Sequence, residues 1–188
     1  MGAGLSSPAV PTLDDALDTL VRDVVDYPKP GIVFKDITPL LGDPGGLAAT
    51  VDALASQGIA SAGGPIDAVV GIEARGFILA APVALALGVG FVPVRKAGKL
   101  PGPTFELSYT LEYGSETLQV HQDAFRAGAR VLVVDDVLAT GGTLAATTEL
   151  VRRCGAEVVG VSLLLELGFL AGRDQVPGLP VSSLRVVP

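Results

Sequence analysis

The chain has no tryptophan, one cysteine and one histidine. A lone cysteine, Cys154, allows no disulfide within the chain and no cysteine cluster around a metal. With His121 as the only histidine, a structural zinc site has almost nothing to be built from. Aromatic residues make up 5%, which argues against a surface that stacks on strings of bases. Positive charge is also scarce: 13 Lys and Arg stand against 20 Asp and Glu, for a net charge of −7. Holding nucleic acid by diffuse charge requires the opposite sign, so no nucleic-acid partner is expected. Charged residues of both signs amount to only 18%, whereas 49% are hydrophobic, which excludes a disordered chain. At 188 residues the chain is long enough to bury one full core, so 1–188 reads as a single domain.

The N-terminal stretch lacks the basic start and apolar core of a secretory leader. Gly76 to Val94 is free of charge over about the length of a membrane span. Pro82, Gly88, Gly90 and Pro93 interrupt it, so it reads instead as a buried helix, Gly76–Leu87, followed by a buried strand from Gly90. No membrane association and a cytoplasmic location are therefore expected.

Thr12 is placed to cap a first helix with Leu13, Leu17, Leu20, Val21 and Val24 on one face, stopped by Pro28 and Pro30. The segment from about 26 to 41 mixes apolar and charged residues and reads as mostly irregular. A second helix spans Pro44 to Gln57 and ends at Gly58. Beyond it, apolar runs alternate with helical segments. Strands are expected at Ala68–Ile72, Phe91–Lys96, Arg130–Asp136 and Glu157–Leu167, and a helix at Thr143–Arg153. Continuous apolar strands are buried on both faces, as in a mostly parallel sheet flanked by helices, an α/β fold. Phe105–Asp123 alternates polar and apolar residues around Tyr113-Gly114-Ser115, a projecting hairpin. Gly98 to Thr104, rich in glycine and proline, precedes it as a flexible loop.

The strongest chemical signal is Val131 to Thr143, VLVVDDVLATGGT. An apolar strand ends in Asp135 and Asp136, and Ala139, Thr140, Gly141, Gly142 and Thr143 turn the chain into a helix. In open α/β sheets ligands bind beyond the carboxyl ends of the strands. Two glycines bring backbone N–H groups close to an oxyanion, the helix N-terminus adds positive potential, and the threonines donate hydroxyl hydrogen bonds. The loop suits a phosphate monoester. GxxxxGK[ST] and GxGxxG are both absent. Carboxylates beside a phosphate must face something else, either sugar hydroxyls or a divalent cation, and a ribose 5-phosphate fits both ends.

This pattern resembles the phosphoribosyl-diphosphate motif of the type I phosphoribosyltransferases. Four further segments, YPKPGIVFKDITPLL, GIEARGF, VRKAGKLPGPT and SYTLEYGSETLQVHQDA, resemble the adenine-using branch of that family, in the expected order. The resemblance runs from about Asp26 to Glu166 and is weak in the N-terminal arm and the last residues. It implies transfer of a 5-phosphoribosyl group from phosphoribosyl diphosphate to adenine, giving AMP and diphosphate, with Mg2+ as cofactor and a homodimeric enzyme. The magnesium would be carried on substrate oxygens, with Asp135 and Asp136 as possible ligands. Glu73, Ala74 and Arg75, together with Arg95, Lys96 and Lys99, are implied to hold the diphosphate. Glu112 matches the family's catalytic glutamate, either as a base toward the adenine ring proton or as a hydrogen-bonding group. Val33, Phe34 and Lys35 fall in the hood over the base, where Phe34 could equally be plain packing.

Overall fold

The computed structural model describes residues 12–111 and 114–188. It divides into two compact units, one reaching to Ala53 and the other running from Leu54 to Pro188.

The first unit holds α1 (Leu13–Leu20), β1 (Arg22–Val25), β2 (Val33–Asp36), α2 (Thr38–Gly42) and the start of α3 (Pro44–Ala62). Thr12 caps α1 as expected, its hydroxyl accepting the Asp15 N–H at 3.2 Å. The helix does not run on to the prolines. It stops at Leu20, and Arg22–Val25 form β1, antiparallel to β2 with Arg22 opposite Asp36 and Val25 opposite Val33. The physical reason is the β-branched Val21, Val24 and Val25: they lose side-chain freedom in a helix and suit a strand once a partner is available. Val24 and Val25 are accordingly exposed rather than on a buried helical face. The segment expected to be irregular thus contains β2 and most of α2. Asp36 fixes the start of α2 by accepting the Thr38 N–H at 2.9 Å and the Thr38 hydroxyl at 2.7 Å. Those two bonds, with a third from Arg22, hold the Asp36 carboxyl down at about 2.

The second unit is built on a seven-stranded sheet in the order β5-β6-β4-β3-β7-β8-β9. Its strands are β3 (Ala68–Ile72), β4 (Gly90–Lys96), β5 (Thr104–Leu111), β6 (Gly114–His121), β7 (Arg130–Leu138), β8 (Glu157–Leu167) and β9 (Val181–Val187). From β4 to β9 neighbours are parallel, while the β5–β6 hairpin joins β4 antiparallel at Arg95 and Lys96 only. β3 is buried throughout. Alternate residues serve two layers. Val70, Val131 and Val133 face Leu144, Leu150 and Val151 of α5 (Gly142–Arg153). On the other face Gly71 lies against Ala80 of α4 (Arg75–Leu87), and Leu132 lies against Gly58 of α3. The α/β, mostly parallel architecture is the expected one. α4 ends at Gly88 in the left-handed conformation, φ 68°, where the sequence placed its stop. Among the described residues no helix is long and apolar enough to cross a membrane.

Two further differences from expectation concern α3 and β9. α3 passes through Gly58 and ends at Ala62. Gly58 is not a stop signal; it leaves the space that the Leu132 side chain fills. Gly58→Val should therefore lower unfolding stability by roughly 1–3 kcal/mol, the usual cost of overpacking. Gly58→Ala should lose less, because alanine recovers up to about 1 kcal/mol of helix propensity. Urea unfolding with an unchanged m value would show both. The second difference is β9, which the sequence did not indicate: Ser182, Ser183 and Arg185 interrupt any apolar run. It forms as the parallel edge beside β8.

Candidate active site

β7 runs two residues past Asp136, to Leu138, because β8 continues beside it as far as Leu167. Its other neighbour, β3, stops at Ile72. Asp135 and Asp136 therefore lie where one flank of β7 has lost its partner, and a cleft of about 350 Å3 opens there. Ile72, Glu73, Ala74 and Arg75 line one side, and Asp135, Asp136, Ala139, Thr140, Gly141 and Thr143 the other. Gly142 stands between Gly141 and Thr143 as the first residue of α5. The structure thus brings together two segments that the sequence assigned separately.

The electrostatics of the cleft centre on the two aspartates. Asp136 is buried and pairs with Arg75, Nε to Oδ2 at 2.8 Å. Arg75 is a third kind of partner for this carboxylate, besides the sugar hydroxyl and the cation considered above. Asp135 lies next to Gly76, where any side chain would collide with its carboxylate, so only glycine lets the start of α4 come this close. Asp135 Oδ1 also accepts the Asp136 N–H at 2.9 Å. Burial pushes the Asp135 carboxyl up, and the neighbouring Asp136 charge adds to it. Burial raises Asp136 as well, against the pull of Arg75. Two neighbouring carboxyl groups thus share the cleft with Arg75, and burial disfavours the charged form of both.

The turn at the other end of the cleft leads into the N-terminus of α5. Gly141 has φ 85°, a conformation other residues resist, and it opens α5 with the Ala145 N–H bonded to its carbonyl. Thr140 is exposed, whereas the Thr143 hydroxyl shares a 2.9 Å hydrogen bond with the Tyr109 hydroxyl.

The cationic cluster is organised by Glu73. Its carboxylate accepts the Lys96 N–H at 3.0 Å, pairs with Arg95 Nε at 3.3 Å and bonds the Lys99 ammonium. Burial works to raise this carboxyl, but the bonds from Lys99 and Lys96 and the charges of Lys99 and Arg95 hold it below the usual range. Arg95 also lies over the Phe77 ring, 6.0 Å from its centre. The Lys96 side chain turns the other way, to Glu116 at 2.8 Å, which raises its pKa.

Glu112 lies outside the described residues. Val33, Phe34 and Lys35 belong to the first unit, on β2. Phe34 meets Tyr27 edge-on at 5.2 Å, and Lys35 Nζ pairs with Asp23 at 2.6 Å. Sequence reasoning missed Tyr109 and Glu116. Tyr109 carries a weak signal: it follows Phe105 and Leu107 on the alternating face of β5, all three packed against the core.

A sequence model of the family described as "Phosphoribosyl transferase domain" matches residues 41–174. An adenine phosphoribosyltransferase of Nocardioides sp. is 59% identical over 184 residues, 97% of this chain and 99% of its own. The crystal structure of adenine phosphoribosyltransferase from Thermoanaerobacter pseudethanolicus superposes with a TM-score of 0.88 at 44% identity, covering 94% of this chain and 100% of that one. The Saccharomyces cerevisiae adenine phosphoribosyltransferase, solved with an imino-altritol bisphosphate and adenine, gives 0.87 at 41% identity, covering 92% of this chain and 98% of that one.

Proposed function

The chain belongs to the phosphoribosyltransferase family, among its adenine phosphoribosyltransferases, and from that premise we propose how its residues divide the reaction. The enzyme makes AMP and diphosphate from adenine and phosphoribosyl diphosphate, a step of purine salvage. One observation supports the placement of the substrate more than any other: the aspartate pair, the Ala139–Thr143 turn and the Glu73–Arg75 segment line a single cleft.

In this reading Ala139, Thr140, Gly141, Gly142 and Thr143 take the 5-phosphate through backbone N–H groups and hydroxyls. Asp135 and Asp136 accept hydrogen bonds from the ribose hydroxyls. Arg75 and Lys99 stabilise charge on the departing diphosphate, joined by Lys96 once its ammonium leaves Glu116, while Glu73 keeps Arg95 and Lys99 gathered where that group arrives. The bond from the anomeric carbon to diphosphate oxygen breaks through an oxocarbenium-like state, as in glycoside hydrolysis, and the bond to adenine N9 forms. Glu112 receives the ring proton or a hydrogen bond from it. The backbone of Val33 and Lys35 reads the edge of adenine, whose donors and acceptors a 6-oxopurine presents reversed, and Phe34 packs near it.

A divalent cation fits this donor set. The cleft offers two adjacent carboxyl groups, Asp135 and Asp136, as hard oxygen donors. Mg2+ keeps water and substrate oxygens in its shell, so it needs only one or two protein carboxylates. Asp135 and Asp136 would hold it, and the chemistry it supplies is neutralisation of diphosphate charge. We further propose a cytoplasmic homodimer over 1–188; the exposed Ile78 and Leu85 on α4 are apolar surface of the kind a second copy covers. Steady-state AMP synthesis, followed while Mg2+ is removed by chelation and restored, tests the reading: activity should vanish and return. Persistent turnover without divalent cation would reject the metal, and failure to use adenine would reject the assignment. Sedimentation of the same samples should show a dimer.

A further inference from the structure

Behind the turn that cradles the phosphate, the chain between β8 and β9 makes a second close approach. The carbonyl of Gly172 sits where a side chain on Gly141 would be, and the carbonyl of Ala139 sits where a side chain on Gly172 would be. The two glycines thus let two backbones touch face to face. The next residue, Arg173, is fastened on three sides. Its Nε and Nη2 donate to the two oxygens of Glu166 at 2.6 Å each, and Nη1 donates to the Val181 carbonyl at 2.6 Å. Glu166 is buried and also accepts the Ser183 hydroxyl at 2.6 Å. A planar guanidinium bound bidentately fixes direction as well as distance. Three residues on, Val176 enters the same buried cluster as Leu144 of α5 and Leu138 of β7.

We propose that Glu166, Arg173 and Gly172 form a positioning brace for the 5-phosphate turn, with Ser183 as its outer support. This rests on the phosphate reading of Ala139–Thr143 given above. None of the four residues lines the cleft. Their effect passes through backbone contact: the Arg173 fork sets Gly172, and Gly172 limits how far Ala139 and Gly141 can retreat from the phosphate. A cradle of N–H groups binds well only when held in the bound geometry beforehand, since otherwise binding must pay for ordering it.

Arg173→Lys keeps the charge and loses the fork. Gly172→Ala presses directly on the Ala139 carbonyl. Each should raise KM for phosphoribosyl diphosphate about tenfold, the scale at which outer supports act on a bound group. KM for adenine and kcat should stay within about twofold, because the loss is one of uniform binding to a single substrate. Ser183→Ala, the mildest change, should move the same constant in the same direction by about two- to threefold, one hydrogen bond's share. Thermal unfolding on the same samples separates a general loss of structure. Folded variants whose two KM values move together, or whose KM for phosphoribosyl diphosphate stays at the wild-type level, would overturn the brace. If Arg173→Lys does not fold, Ser183→Ala decides by the same criterion. Wild-type turnover of adenine in these assays checks the underlying reading independently.

Discussion

Changing Asp135 and Asp136 together to alanine is expected to leave a folded protein with turnover reduced by roughly a hundredfold to ten-thousandfold. Each carboxylate is assigned a charge-assisted hydrogen bond to a ribose hydroxyl, worth ~1.5–3 kcal/mol, so two represent ~3–6 kcal/mol of transition-state stabilisation. The fold should survive because burial already disfavours both charged forms, so removing them relieves an electrostatic penalty. Arg75 loses the Asp136 carboxylate in this variant, but a third of its side chain is exposed and can be hydrated. The single changes should be unequal. Asp136→Ala removes the carboxylate that Arg75 Nε binds, whereas Asp135→Ala leaves the Arg75–Asp136 pair in place. The checks are kcat and KM for both substrates, with circular dichroism to establish folding. A folded double variant with wild-type turnover would remove the pair from the mechanism.

How much of this was legible in the sequence depends on how local each feature is. The strand, aspartates, turn and helix from Val131 to Thr143 lie within one short segment, and apolar run, carboxylates and glycines each have a local meaning. The structure accordingly keeps them together in one cleft. Glu73 and Arg75 were readable as cleft residues because they follow a fully apolar strand. What was not readable depends on which distant strands become neighbours. Lys96 finds Glu116 only because β6 pairs with β4, and Tyr109 finds Thr143 only because α5 lies across the hairpin. Arg173 and Glu166 are seven residues apart, but their pairing depends on the chain turning back at the end of β8. The valines after α1 misled for the opposite reason. Their spacing fits a helix face, and only the presence of β2 as a partner decides for a strand. Gly58 misled because a glycine at a helix end and a glycine under a neighbouring side chain look alike until Leu132 is in place.

Glu112→Gln should preserve binding of phosphoribosyl diphosphate and slow the chemical step. Glutamine keeps the size of the side chain and one hydrogen-bond acceptor but cannot take a proton. General acid–base contributions are typically ~100- to 10,000-fold, or roughly 3–5.5 kcal/mol of barrier. If Glu112 is the base for the adenine ring proton, kcat should fall by that factor with KM for phosphoribosyl diphosphate unchanged. If it only anchors adenine, the loss should appear as a raised KM for adenine at nearly constant kcat. Measuring both constants therefore separates base from anchor. Turnover at saturating substrate within about threefold of wild type corresponds to only ~0.65 kcal/mol and would reject the base role. Catalysis would then rest on departure of diphosphate, assisted by Arg75, Lys96 and Lys99. In that event neutralising Lys99, which is bound to Glu73 before any diphosphate arrives, should cost more in kcat than the change at Glu112.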